Sequence, residues 1–438
     1  MDSAASAAPR RTNARYGVLA LIALGTMINY LDRSLLSVAA PSMTAELGIG
    51  AATMGILFSV FSWSYAMAQI PGGVLLDRFG VRLTYFWSVT LWSIFTLLQG
   101  LATSLGALLG FRFALGAAEA PCFPANSRVL VSWFPQHERA RANSVYTVGM
   151  YSGIAFLSPV LFWITATMGW RALFIIAGIV GLCFAGIWYL RYREPQETPK
   201  ANQAELDYIT AGGGFAAQGR TPFAWKDVAW LLSKRQILGA SIGQFATNAT
   251  LVFFLTWFPT YLVTERGMPW LKVGWVAVLP FIAASIGVLI GGQLSDRLVK
   301  RSGSATFGRK LPIVGGLLLS STIVLAAFLE SDAMVIAVMS IAFFGQGMSN
   351  LGWTLISDVA PKRLVGLTAG VFNFCTNLAG IVTPMLIGFI VAATGSFLGG
   401  LAFIGVMALI GALSYTFLVG KVERIIEPAD RQPAAEGV

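Results

Sequence analysis

The sequence predicts an all-α integral membrane protein with twelve transmembrane helices arranged as two halves of six. Of the 438 residues, 56% are hydrophobic and only 11% are charged, and the mean hydropathy is +0.71. Soluble domains carry roughly 25% charged residues. Twelve long apolar stretches divide the chain, and its basic residues lie mostly on one side of them. A water-soluble globular protein is therefore excluded.

Each apolar stretch is close to the ~20 residues that a helix needs to cross the hydrocarbon core of a bilayer. A transmembrane β-barrel would show shorter, alternating segments, so helices are the expected spanning elements. The first stretch is too long for the core of a signal peptide and no cleavage pattern follows it, which favours a first span. The predicted spans are 16–41, 53–76, 83–101, 105–131, 141–165, 171–190, 235–262, 269–295, 311–329, 333–356, 366–393 and 398–419.

The net charge of +10 could indicate a nucleic-acid-binding protein, but the positions of the basic residues exclude that function. When the termini and alternate loops are placed on one side, that side holds 25 of the 30 Lys and Arg residues. The opposite side holds Arg171, Arg266 and Lys272, and Arg33 and Arg112 fall within apolar stretches. This distribution follows the positive-inside rule and predicts that both termini are cytoplasmic.

The longest loop separates two related halves. GGVLLDRFG at 72–80 returns as GGQLSDRLV at 291–299, each after the second helix of its half. Parallel halves of six helices, with a site between them near the midplane, are typical of a rocking-bundle transporter. The predicted boundaries are a cytoplasmic tail at 1–15, a first six-helix bundle at 16–190, an inter-bundle loop at 191–234, a second bundle at 235–420 and a cytoplasmic tail at 421–438.

Within the inter-bundle loop, NQAELDYITAGGG at 202–214 predicts a short amphipathic helix that is stopped by glycines. Its acidic residues are expected to lie on a solvated face.

Four ionisable residues lie inside predicted spans, away from the helix ends: Asp32, Arg33, Arg112 and Glu119. Such residues are costly in a bilayer and indicate a functional site. Arg112 and Glu119 are seven residues apart and share one helix face. Asp32 and Arg33 are adjacent and point about 100° apart, so they cannot pair with each other. We expect each to find its partner on the helix that carries Arg112 and Glu119.

These charges could couple an anion to a proton. Burial of a carboxyl group favours its protonated form, and a nearby guanidinium favours the ionised form. When a substrate carboxylate engages the arginine, the acid loses that support and can hold a proton, and release of the substrate reverses the change. The planar guanidinium also binds carboxylates through two parallel hydrogen bonds. The alternative, in which the four charges only neutralise one another, stays open.

GGVLLDRFGVR at 72–82 resembles the signature loop of the major facilitator superfamily, and the resemblance covers essentially the whole chain. It implies the major facilitator fold. It also implies that Asp77 and Arg78 latch the cytoplasmic side in the outward-facing state, with Asp296 and Arg297 as their counterparts in the second half. Ordinary loop charges are the alternative for these residues.

INYLDR (28–33), RFALGAAEAPCFPANSR (112–128) and FFLTWFPTYL (253–262) resemble the anion:cation symporter branch of that superfamily. Three further strings, RRTNARY, GWTLISDVAPK and GIVTPMLIGFIVAATGSF, are similar to bacterial glucarate/galactarate transporters, with D-galactonate transporters as near relatives. The resemblance implies that Asp32 and Glu119 are the titrating acids and that Arg33 and Arg112 bind or poise the anion. It further implies a cavity lined by Tyr65, Gln244, Asn350, Trp353 and Asn373.

The expected function is proton-coupled import of a small sugar-acid anion, glucarate or galactarate favoured, by a monomer in the bacterial inner membrane. Met150 stands where the galactonate relative carries a glutamine, so a polar contact is missing at this position. D-Galactonate or another hexonate is the alternative substrate.

An organic-anion or drug antiporter on the same fold fits less well, because two arginines lie in the apolar spans. A membrane-embedded sensor or enzyme would need an appended domain or a catalytic constellation that the sequence lacks. No P-loop is present, so the expected driver is the proton gradient without a cofactor, and sodium coupling stays open.

Overall fold

The computed structural model describes residues 11–214, 225–361 and 364–426, and these residues form helices with no β-strand among them. The all-α prediction is confirmed. Parts of the predicted tails 1–15 and 421–438 and of the predicted loop 191–234 lie outside the described residues. The helices are α1 (Ala14–Leu47), α2 (Ala51–Gly100), α3 (Leu105–Glu119), α4 (Cys122–Trp133), α5 (Gln136–Arg191), α6 (Gln203–Ala211), α7 (Trp225–Leu232), α8 (Arg235–Thr256), α9 (Phe258–Thr260), α10 (Trp270–Val276), α11 (Val278–Ser302), α12 (Ala305–Ser321), α13 (Asp332–Ser349), α14 (Gly352–Val359), α15 (Val365–Thr394) and α16 (Leu398–Leu413), with π-helical turns at Tyr261–Glu265 and Ser414–Leu418 and a 3-10 helix at Thr322–Phe328.

Two helices are too long to be single spans. At 50 residues, α2 would be about 75 Å long if straight, more than twice the thickness of a bilayer core. It bends at Gly80, whose φ of 74° is a conformation that glycine adopts readily. The 56-residue α5 bends in the same way at Gly169. Each therefore contains two predicted spans that are joined by a kink.

Among the described residues, nine helical runs are long and apolar enough to cross a membrane. The number of twelve spans, and the side on which the termini lie, stay predictions.

The chain divides into two compact units. The first comprises Met1–Leu47 and Trp63–Gly219, and the second comprises Gly48–Ser62 and Arg220–Val438. Within the first unit α1 packs along α5 and also contacts α4.

In the second unit, α11 and α12 pack against α13 through small residues. A Cβ atom on Gly316 would lie 2.4 Å from the carbonyl oxygen of Gly345, and one on Gly345 would lie 2.3 Å from that of Gly316. In lipid, where helices gain little from hydrophobic burial, such close backbone approach gives the van der Waals contact that holds them together.

The amphipathic helix predicted in the inter-bundle loop is present as α6. Asn202 caps it by accepting a 3.0 Å hydrogen bond from the backbone N–H of Glu205, and Gly213 ends it with a φ of 78°. Asp207 is exposed, as expected for a solvated face. The expectation is wrong for Glu205, which is fully buried because its carboxylate is paired with Arg15 at the start of α1.

Substitution at Gly316 should disturb the packing of the second unit. Gly316→Val would push a side chain into the backbone of α13, and overpacking of this kind costs about 1–3 kcal/mol. We expect a lower thermal unfolding temperature of the purified protein in detergent. The neighbouring Gly315 faces open space, so Gly315→Val is the matched control and should leave that temperature unchanged. Equal effects of the two substitutions would contradict the packing described here.

Candidate functional site

The helix that carries Arg112 and Glu119 is interrupted directly after Glu119. α3 ends at Glu119 and α4 begins at Cys122, with Ala120 and Pro121 between them. A proline has no N–H to complete the helical ladder, so the backbone needs other partners at this point. Ser88 of α2 supplies one, because its hydroxyl donates to the carbonyl of Ala118 and lies 3.2 Å from the sulfur of Cys122. The break places Glu119 at the last residue of a half-helix.

Glu119 forms a buried ion pair with Arg33 of α1. Arg33 Nε donates a 3.0 Å hydrogen bond to Glu119 Oε2, and Arg33 Nη2 lies 2.9 Å from the same oxygen. The Glu119 side chain is fully buried and that of Arg33 is 16% exposed. The sequence-based expectation that Arg33 pairs across to this helix therefore agrees with the geometry.

The other two charges lie in the same cluster. Asp32 and Arg112 are 1% and 3% exposed. Neither carboxylate oxygen of Asp32 makes a hydrogen bond of standard geometry with a described residue. The Asp32 carboxylate interacts electrostatically with Glu119 and Arg112, and the indole of Trp92 lies near it. The cluster thus joins two acids and two arginines with no net formal charge.

Aromatic rings surround the Arg33 guanidinium. Its central carbon lies 4.9 Å from the ring centroid of Tyr65, 5.0 Å from that of Tyr30 and 5.9 Å from that of Phe123. Cation–π contacts of this kind hold a guanidinium in place without neutralising it. Tyr65, a predicted site residue, belongs to this group. Tyr30 and Phe123 were missed, although their spacing of three residues from Arg33 and four from Glu119 is helical and could have indicated them.

The second unit has a break at the corresponding helix. α13 ends at Ser349 and α14 begins at Gly352, so Asn350 lies in the interruption. Gln244 of α8 donates to Asn350 through its side-chain amide at 3.4 Å. Interrupted helices at matching positions of two halves are a pointer to a binding site in transporters. Two of the predicted site residues therefore meet at such a point.

The remaining two predicted site residues of the second unit lie on neighbouring elements. Trp353 of α14 packs edge-on against Phe372 with ring centroids 4.9 Å apart and is 36% exposed. Asn373 of α15 accepts a 2.9 Å hydrogen bond from the side chain of Asn377. Asn377, one turn further along, is a polar residue that sequence reasoning missed.

The predicted gating acids pair with arginines that the sequence reasoning did not choose. Asp77 Oδ1 accepts a 3.0 Å hydrogen bond from Arg128 Nη1, in the middle of α4. Arg78 instead lies against the ring of Phe79. Both Asp77 and Arg128 are about half exposed, so this pair contributes little to stability by itself.

In the second unit Asp296, the counterpart of Asp77, is also paired with an arginine. Arg309 of α12 contacts Asp296 at 2.8 Å, Asp358 at 3.1 Å and the hydroxyl of Ser295 at 3.0 Å. Arg297 is exposed. The repeat of Asp77 as Asp296 was visible in the sequence, but the arginines that complete each pair lie outside the repeated string. A latching role for the four predicted residues stays a prediction.

The kink of α2 lies at Gly80, the last residue of the GGVLLDRFG string. The model of the Major Facilitator Superfamily matches residues 22–384. The chain belongs to the Major Facilitator Superfamily. It is a multi-pass membrane transporter and not an enzyme, and the resemblance seen in the sequence is confirmed.

This transporter is similar to several curated proteins over nearly its whole length. The probable galactarate/D-glucarate transporter GudP of Escherichia coli (strain K12) is 44% identical over 97% of the chain and 98% of that protein. The D-galactonate transporter of Escherichia coli O6:H1 is 45% identical over 94% of the chain and 97% of that protein.

Among solved structures, the transporter shares its fold with a bacterial homolog of the human lysosomal transporter Spinster. The TM-score is 0.73 at 21% identity, over 93% of this chain and 97% of that one.

The ion pair of Arg33 and Glu119 should be strongly coupled. Removing one partner leaves a buried charge without compensation, which costs about 3–5 kcal/mol, whereas replacing both with apolar residues can be nearly neutral. We expect Arg33→Met and Glu119→Met each to lower the unfolding temperature in detergent, and the double variant to lie closer to the wild type than either. Arg191→Met, at an exposed helix end, serves as the control. Additive losses in the double variant would contradict the pair.

Proposed function

We propose that this transporter imports sugar-acid anions, with galactarate and D-glucarate favoured, in symport with protons by alternating access. The observation that carries the proposal is the buried cluster. In it the Arg33 guanidinium is paired with Glu119, and Arg112 interacts electrostatically with Asp32. The printed names of the 44% and 45% identical relatives support the substrate class, because those similarities extend over nearly the full length of each protein.

The cluster suggests how a proton and an anion are coupled. An anionic substrate is attracted to the same guanidinium that Glu119 now occupies. If the substrate carboxylate takes over Arg33, Glu119 becomes a buried carboxylate without its cation, and protonation is the least costly way to relieve that state. Departure of the anion returns the guanidinium to Glu119 and expels the proton. Asp32, which interacts electrostatically with Arg112, would be a second acid that gains a proton when the anion binds and loses it when the anion leaves.

The polar residues of the second unit suit a polyol. The side-chain amides of Gln244 and Asn350 each carry donors and acceptors, which hydroxyl groups need. Trp353 offers a partly exposed ring that could cover the C–H face of a sugar chain. These uncharged groups would suit the neutral, hydroxylated body of a sugar acid, whose charge lies in its carboxylate groups.

The setting of this activity is part of the proposal. We expect twelve spans with cytoplasmic termini, which the positive-inside distribution favours. The bacterial relatives favour the inner membrane of a bacterium. We also expect a monomer. The driving force we propose is the proton gradient, without a bound cofactor.

D-Galactonate is the second candidate substrate, because the D-galactonate transporter is as similar to this chain as the galactarate/D-glucarate transporter. Met150 is buried in α5 and offers no amide, which favours the dicarboxylates over the hexonate. An organic-anion or drug antiporter fits less well, because two arginines in the cluster would disfavour cationic and apolar cargo.

The substrate class can be tested by thermal-shift screening of the purified transporter against aldarates, aldonates and uronates. Binding of a ligand raises the unfolding temperature in proportion to the logarithm of its concentration over Kd. We expect galactarate or D-glucarate to give the largest shift, with D-galactonate next. Stabilisation by uronates or lipophilic cations alone would reject the proposed substrate class.

Glu119→Gln should abolish pH-driven accumulation in proteoliposomes, because glutamine cannot carry the proton. Counterflow exchange of substrate should survive, since that reaction needs binding and reorientation without net proton movement. Glu330→Gln, on an exposed turn, is the matched acid-to-amide control and should accumulate substrate normally. Undiminished uphill uptake by Glu119→Gln would remove Glu119 from the coupling.

Arg112→Ala should weaken binding of every sugar acid, because it removes a buried cation from the cluster that attracts the carboxylate. A charge-assisted hydrogen bond contributes about 1.5–3 kcal/mol, so Kd should rise at least tenfold in the thermal-shift assay. Arg191→Ala is the exposed control. Unchanged affinity in Arg112→Ala would exclude a role in anion binding.

A further inference from the structure

Residues 11–15 and helix α6 are in contact, although about 190 residues separate them. The centre of the contact is Glu205, whose side chain is fully buried. One carboxylate oxygen accepts from the Thr12 hydroxyl at 2.6 Å and from the backbone N–H of Ala14 at 3.1 Å. The other accepts from Arg15, through its backbone N–H at 3.3 Å and its guanidinium at 3.0 Å.

Glu205 thus accepts hydrogen bonds from the backbone N–H groups at the N-terminus of α1. The first N–H groups of a helix have no partner within the helix, and a carboxylate near them is favourable. The first turn of α1 has no acidic residue of its own. The missing carboxylate comes from α6, so the beginning of α1 and the inter-bundle loop hold each other in place.

A second ring of contacts includes the start of α5. Glu138 lies 3.1 Å from Arg15 Nε and accepts a 2.7 Å hydrogen bond from the Tyr208 hydroxyl. That hydrogen bond raises the pKa of Tyr208, so the phenol stays a donor. The guanidinium of Arg11 stacks 4.0 Å over the Tyr208 ring.

The far end of α6 is tied to α5 as well. The backbone N–H of Gln136 donates to the carbonyl of Gly212 at 2.8 Å, and Arg139 donates to the carbonyl of Gly213 at 2.7 Å. Both ends of the short helix are therefore fastened to the first unit.

We propose that Glu205 is the centre of a clamp, formed by residues 11–15, α6 and the start of α5, that makes the first half of the inter-bundle loop a fixed part of the first unit. The clamp leaves residues 215–224 to connect Gly214 with α7. Ten residues span at most about 35 Å when extended, against about 115 Å for the 33 residues of 192–224 that separate α5 from α7. The clamp therefore shortens the free connection that precedes α7.

A transporter of this kind works by moving one half against the other. A clamp outside the substrate cluster should act on the rate of that movement and not on affinity. It also keeps the start of α1 joined to α5, so that the helix carrying Asp32 and Arg33 moves with its half. The inference rests on transport activity, but not on which sugar acid is carried or on proton coupling.

Glu205→Ala should open the clamp. We expect amide hydrogen exchange in residues 11–15 and 203–214 to accelerate by about tenfold or more, since their partners are lost. Transport should show a maximal rate reduced by about threefold or more with KM within about twofold. Glu205→Gln keeps one acceptor oxygen and should recover part of both effects.

Asp207→Asn is the matched control, since it lies on the same helix but is exposed and bonded only to Gln203 among the described contacts. It should leave exchange and transport unchanged. Normal exchange in Glu205→Ala, or a raised KM with an unchanged maximal rate, would overturn the proposal. The exchange measurement needs no substrate, so it separates failure of the clamp from failure of the proposed function.

A cross-link gives a second test, in which a disulfide replaces the contacts of Thr12 and Asn202 and holds the clamp closed. Thr12 Oγ accepts a 3.0 Å hydrogen bond from the backbone N–H of Asn202, which brings the two positions close enough for a trial disulfide. Thr12→Cys with Asn202→Cys should form the disulfide and keep transport, because the clamp stays closed throughout the cycle. Loss of transport on oxidation that reduction restores would show that the clamp must open, and would overturn the proposal.

Discussion

The interior of a bilayer offers no water to a charged side chain, and this constraint shapes the first unit. Arg33 and Glu119 can be buried there only because each compensates the other at 2.9 Å. Their contact joins α1 to the last residue of α3. The break at Pro121 and the Ser88 hydroxyl that supports it keep the carboxylate at that end. In the proposed mechanism, a competing anion separates this pair.

The two units differ in their chemistry at matching places. Both interrupt the fourth helix of a half, and the interruption lies next to Glu119 in one unit and contains Asn350 in the other. The first unit surrounds its break with charges and aromatic rings, whereas the second supplies neutral amides.

Much of this could be predicted from the sequence, because hydropathy and charge position are local properties. The apolar stretches, the two halves, the four buried charges and α6 all followed from composition and spacing. The pairing of Arg33 with an acid of the predicted span 105–131 followed from helical geometry, since neighbouring residues on a helix point apart.

The partners that come from distant parts of the chain could not be predicted. Arg128 and Arg309 complete the acids Asp77 and Asp296, yet neither arginine lies in the repeated string. Glu205 appeared as one more acid on a solvated face, because its local pattern does not disclose the start of α1. Such contacts depend on which elements pack together, and tertiary packing cannot be deduced from the local pattern of a single sequence.

The burial of Glu205 also has a consequence for recombination between relatives. A chimaera that exchanged only the apolar helices of the first half would separate a carboxylate from the hydroxyl and backbone groups that it satisfies, leaving both parental surfaces mismatched. A module that is exchanged between relatives therefore has to carry residues 11–15 together with α6.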